Sequence, residues 1–125
     1  MSWSSPYFIS EEMACSHSGI EEMNPEFMEK LTQLRADWGQ PMVITSAYRH
    51  HTHPIEAAKA KPGTHASGRA VDIAIQGEDA YALLCAALGH GFTGIGVKQK
   101  GQGRFLHLDD LTAAEGWPRP NVWSY

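Results

Sequence analysis

The stretch "RAVDIAI", residues 69–75, constrains the fold of this chain more than any other. Its residues alternate as a strand requires: Val71, Ile73 and Ile75 take one face, and Ala70, Asp72 and Ala74 take the other. One face therefore belongs to a core. The other carries a carboxylate between small residues, which leave room for something. A carboxylate in so apolar a run is costly to bury unless cations or donors meet it. An arginine, a string of backbone N–H groups or a metal ion would each serve.

The rest of the chain reads as short elements around this strand. "ISEEMACS" offers Ser10 as the cap of a short helix with acids in its first turn. "NPEFMEKLTQLRADWG" is the clearest helix, capped by Asn24 and opened by Pro25. Its apolar stripe is Phe27, Leu31, Leu34 and Trp38, and Gly39 stops it. "PMVITSAYR" reads as a strand running out at Ser46. Residues 50–68 are polar and irregular, with one turn of helix at 54–60. "EDAYALLCAALGHG" is a second amphipathic helix, with Ala80, Leu83, Leu84, Ala87 and Leu88 at helical spacing and Cys85 read as core.

"TGIGV" and "RFLHLDD" read as two strands joined by "KQKGQG". In the second, Phe105, His107 and Asp109 share a face. The tail "GWPRPNVWSY" shows no regular period, and its aromatics are expected to pack against the domain. Helices and strands mix without a βαβ rhythm. The expectation is one α+β domain over residues 1–125, with a small, largely antiparallel sheet and helices packed on one side.

Bulk properties exclude several classes of function. A net charge of −4 argues against nucleic-acid binding through a basic face. No run approaches the length of a membrane span, so no membrane partner is expected. The opening "MSWSSPYFIS" has neither a basic nor an apolar leader region, and synthesis in the cytoplasm is expected. Two cysteines, Cys15 and Cys85, make no disulfide framework.

From residue 50 to residue 107, five histidines, His50, His51, His53, His65 and His107, lie in segments read as loop or strand. Zinc takes nitrogen and oxygen ligands tetrahedrally, and a catalytic site keeps one position for water. His65, Asp72 and His107 would supply three such ligands. They read equally as a loop histidine, a hydrogen-bonded carboxylate and a satisfied sheet histidine. Cys15 and His17 in "ACSHSG" have no further ligand partners and read as a surface loop. Lys59 and Lys61 could meet an anionic polymer, or simply be solvated.

The order "SAYR", "HASGRAVD", "GIGV", "FLHLD" resembles the zinc D-Ala-D-Ala carboxypeptidase family of peptidoglycan peptidases. The wider group includes lysostaphin-type enzymes and the amino-terminal domain of hedgehog proteins. The resemblance runs from "FISEEMACS" to "RPNVWSY" and is closest to short phage and bacterial members. It implies one zinc ion per chain on His65, Asp72 and His107, with Arg49, after Ser46, holding the carboxylate of a peptidoglycan stem peptide. Gly68 would permit the turn between His65 and the strand of Asp72.

Many members of that family place an acid three residues before the late histidine, as general base. Here that residue is Arg104, which cannot serve. Asp109 is the first substitute, reaching the water directly or orienting a histidine that does; Asp110 and the histidines of "HHTH" are others. Two functions follow. One is a zinc peptidase, carboxypeptidase or endopeptidase, in a monomeric phage or prophage lytic enzyme acting on the wall after lysis or from a virion. The other is a zinc-holding binding or virion structural module without chemistry.

Overall fold

The computed structural model describes residues 3–125. Its five strands are β1 (Val43–Ser46), β2 (Ala70–Ala74), β3 (Gly94–Lys98), β4 (Phe105–Asp109) and β5 (Asn121–Ser124). They form one sheet in the order β1-β2-β4-β3-β5. The pairings β1–β2, β2–β4 and β4–β3 are antiparallel, and β3–β5 is parallel. The helices are α1 (Ser10–Met13), α2 (Pro25–Trp38), α3 (Pro54–Ala57) and α4 (Gly77–Gly89). The architecture is α+β, as the alternation of elements predicts.

Helix α2 forms for the reasons its sequence suggests. The Asn24 side chain accepts from the N–H groups of Glu26 and Phe27, and Pro25 occupies the first turn, where its missing N–H costs nothing. Gly39 adopts a left-handed conformation (φ 72°) and its N–H donates to the Arg35 carbonyl, closing the helix. The buried face of α2, Phe27, Met28, Leu31 and Leu34, packs in one core with Leu83 of α4. The sheet contributes Val71, Ile73, Ile95, Leu106 and Leu108 to the same core. Each such side chain contributes about 1.5–3 kcal/mol when fully buried. Phe27 meets Phe92 edge to face at 5.8 Å. One face of the sheet is thereby committed to packing, and the alternating residues are turned to the other.

Several local expectations are corrected. Ile9, not Ser10, takes the cap position of α1, and Glu12 accepts from its N–H. The helical turn after His53 is α3, ending at Ala57. Cys85 is exposed, not core. The buried stripe of α4 runs through Ala80, Leu83 and Ala87, and Cys85 is turned roughly 200° from Leu83. Leu88 is likewise exposed. Cys15, expected in a surface loop, is buried beside Phe8 and Met13 because the chain closes on itself there, Cys15 N–H donating to the Ile20 carbonyl. The tail contains a strand, β5, along β3.

Candidate metal centre and active site

One row of the sheet carries the site. Reading across the strands, Ser46 pairs with Asp72, Asp72 with His107, His107 with Gly96, and Gly96 with Trp123. Each strand contributes one residue at this level. The register of β1 slips between Ile44 and Ser46, so Thr45 and Ser46 together oppose one residue of β2. That bulge lets Ile44 face Ile73 while Ser46 still pairs with Asp72. His65 enters from a single 3-10 turn, Thr64–Ser67, just before β2. The turn ends at Gly68, whose φ is 76° and whose missing Cβ leaves room for the Glu22 carbonyl.

Ligand atoms of His65, Asp72 and His107 all lie within 4.8 Å of one another. Asp72 Oδ1 is 3.3 Å from His65 Nε2 and 3.1 Å from His107 Nδ1. Bonds of about 2.0–2.1 Å in a tetrahedron place neighbouring ligand atoms about 3.3 Å apart, so the set fits a small divalent ion. The tautomers suit the same purpose. His65 Nδ1 faces the Ala47 carbonyl at 2.8 Å, which can only accept, so Nδ1 carries the proton and Nε2 its lone pair. His107 Nε2 donates to Asp109 Oδ2 at 2.7 Å, which leaves Nδ1 for an ion.

The charges agree with this picture. Burial by itself would raise the Asp72 carboxyl, but bonds from His107 and His65 hold it well below the usual carboxylate range. Burial would lower His107, yet its bonds to Asp109 and Asp72 raise it. Of the three side chains Asp72 is the most open, at 10% exposure against 7% for His65 and 2% for His107.

Asp109 is fully enclosed. It accepts from His107, from Arg119 Nε at 2.9 Å and Nη2 at 2.8 Å, and from the Leu111 N–H at 3.3 Å. Burial would raise its pKa, but His107 and Arg119 outweigh this and bring it to about 2. Gly94, its partner across β3, makes the room: a Cβ there would strike the Asp109 carboxyl. Asp109 is expected from the sequence to reach the water directly or to orient a histidine that does; in the structure its histidine contact is to His107. Its Oδ2 accepts from the nitrogen of His107 that faces away from Asp72, and its Oδ1 is taken up by Arg119 Nε and the Leu111 N–H. Asp110 is locked elsewhere, by two 2.8 Å bonds from Arg69 and one of 3.2 Å from Lys30. Arg104 donates to the Gly101 carbonyl.

Beside the row lies a cleft of about 760 Å³, lined by Ser46, Tyr48, Arg49 and His53 among others. The three ligand residues are not in its lining. Ser46, opposite Asp72, and Ala47, which accepts from His65, connect the two. Arg49 Nη1 donates to Glu56 Oε2 at 3.4 Å, and its backbone N–H donates to the His65 carbonyl. Glu56 is buried in the polar loop and also accepts from Gly63 N–H at 2.7 Å and Lys59 at 3.1 Å. Burial alone would raise Glu56, but those three donors lower it. Lys59 is thus tied down, and Lys61 stacks over Trp117 at 6.0 Å. Of the "HHTH" histidines, His53 lines the cleft, while its Nδ1 accepts from the Ile55 N–H.

Sequence reasoning misses Glu56, Arg119 and Trp123. Trp123 stacks at 5.1 Å from the His107 ring and 5.0 Å from the Arg119 guanidinium. The available signal was "GIGV": two glycines at alternate positions of a strand leave space that other side chains must fill. No curated protein is similar enough in sequence to count as a match. The family model described as Peptidase M15 matches residues 6–109, a span that includes His65, Asp72, His107 and Asp109. The chain belongs to this peptidase family, the zinc D-Ala-D-Ala carboxypeptidase type that its motifs resemble.

Proposed function

We propose that the protein is a zinc peptidase that hydrolyses peptide bonds of bacterial peptidoglycan, as a carboxypeptidase or an endopeptidase on stem peptides. Peptidases of this family are metal-dependent. The observation that carries the reading is the convergence of His65, Asp72 and His107 at the edge of a cleft holding an arginine. Two imidazoles and one carboxylate suit zinc, which when bound supplies an acidified water and a polarised carbonyl.

The chain's own residues do the rest. Ala47 and Asp109 fix the rings of His65 and His107, so that little is left to reorganise when an ion binds. Arg49 commits one recorded donor to Glu56 and keeps the remainder of its fork for a substrate carboxylate. Ser46 stands beside it as a neutral hydrogen-bonding group. His53, which lines the same cleft, is the group best situated to exchange protons with substrate there.

A non-catalytic zinc module is the second reading. It is favoured by one observation: both acids expected as base, Asp109 and Asp110, are sealed by arginines. Turnover separates the two. Zinc-loaded protein should release soluble fragments or D-Ala from purified peptidoglycan, and chelation should stop the release. Zinc binding at one ion per chain without any such release would establish the module instead. Clearing of permeabilised bacteria by added protein would support a lytic setting.

A further inference from the structure

The last strand carries polar groups that the mechanism above does not use, and they lie outside residues 6–109. Gly96 is the direct neighbour of His107 in β4 and of Trp123 in β5. The point that a Gly96 Cβ would occupy is filled from β5 and the residue that follows it. Trp123 Nε1 lies 2.8 Å from it and the Tyr125 hydroxyl oxygen 2.9 Å. Directly opposed Cβ atoms on one sheet face are about 4.5–5.5 Å apart, so the phenol oxygen stands where a side chain beside His107 would begin.

The Tyr125 ring is held there by Phe105, at 5.1 Å, which shares the face of His107 two residues along β4. Tyr125 as a residue is 63% exposed, while its hydroxyl oxygen lies against Gly96. Gly96 pairs with His107, so the phenol oxygen stands on the β5 side of that histidine. The Trp123 indole N–H, which can only donate, reaches the same point. Beside a donor-only group the phenol oxygen can act only as an acceptor, which leaves its own proton to be given outward.

We propose that Tyr125 is a further catalytic residue of this site. Its hydroxyl donates a hydrogen bond to the scissile carbonyl oxygen as negative charge gathers on that oxygen. Trp123 acts as its positioning residue. No proton changes hands in this contact; it is electrostatic stabilisation by a prearranged donor. The inference rests on the peptidase reading and extends it to the strand on the far side of the sheet from Arg49.

Tyr125→Phe removes the hydroxyl and keeps the ring. In the zinc-loaded protein, kcat on a stem peptide should fall about 10²–10³-fold, with KM within about twofold and zinc content unchanged. Affinity for a phosphinate analogue of the same peptide, read by calorimetry, should fall by a comparable factor, while affinity for the product peptide should not. Equal phosphinate affinity in both proteins, or a rise in KM with kcat unchanged, overturns the proposal. Wild-type protein inert on every wall substrate would sink the peptidase reading, and the phosphinate comparison would still decide Tyr125. Should Tyr125→Phe fold poorly, Trp123→Phe provides the second variant. It is expected to lower phosphinate affinity severalfold at full zinc occupancy, and unchanged affinity would equally overturn the assignment.

Discussion

Replacing Asp109 with asparagine asks whether that carboxylate holds His107 or takes a proton itself. The carboxylate accepts from His107, twice from Arg119 and once from the Leu111 N–H. An amide has one accepting oxygen. Placed at the Oδ2 position, it keeps His107 and one Arg119 contact, but its NH₂ then confronts Arg119 Nε and the Leu111 N–H, both donors. Arg119, whose side chain is only 4% exposed, also loses its counter-charge. Breaking a buried pair in this way costs about 3–5 kcal/mol. A domain of this size is stable by about 5–15 kcal/mol, so the variant should fold with a clearly lower Tm. Loss of the partner of a ligating histidine should weaken metal binding about 10–100-fold. Competition against a fluorescent chelator measures that directly, and kcat per bound zinc should recover to within a fewfold at saturating zinc. Unchanged zinc affinity with kcat reduced a hundredfold or more would refute the reasoning and make Asp109 the base.

Arg49→Ala should cut turnover of a carboxylate-terminated peptide more than tenfold while stability changes by about 1 kcal/mol or less, because Glu56 keeps Gly63 and Lys59; a collapse in Tm with normal activity per folded molecule would make Arg49 structural. The raised pKa of His107 gives opposite pH trends with and without metal. In metal-free protein its charged form contributes stability that is present below the unfolded value near about 6.5 and lost as pH rises through the higher folded value. Metal must displace that proton, so apparent zinc affinity should climb with pH over the same window, and a flat titration would contradict the assignment. Gly94→Ala drives a methyl group into the Asp109 carboxyl and should lower both Tm and zinc affinity; an unaltered melting curve would show that the strand yields freely.

The three residues that could hold a metal are readable in the sequence because each sits in a local pattern with a chemical cost. Asp72 lies in an alternating apolar strand, His107 in another, and His65 just before a glycine that must turn. Helix α2 is equally plain, with its cap, proline and stop all in place. What is hidden is whatever depends on pairing between distant segments. β5 has four residues and leans on β3 alone, so its alternation is too short to stand out after Pro118 and Pro120. Arg119 looks like any charged residue in a turn until Asp109 is seen buried beside it. Glu56 looks solvated for the same reason: its three donors come from residues whose approach only the folded loop creates. The exposure of Cys85 is hidden because a helix of small residues has no single obvious face.

The position of β5 at the rim of the sheet separates the site into two tiers of local stability. His107 belongs to β4, the middle strand, and Asp72 to β2 beside it, so both are pinned by neighbours on either side. β5 is paired on one side only, and Asn121 and Val122 are exposed. Edge strands open at lower free energy than interior ones. Fraying of β5 would withdraw Trp123 and Tyr125 together while the ion-binding side chains stayed in register. The residues that could hold a metal can therefore keep their places through fluctuations that dismantle the surroundings of His107. Hydrogen exchange would register this as fast amides at residues 121–124 beside slow ones at 70–74 and 105–109. Zinc content alone would then overstate the fraction of molecules poised to react.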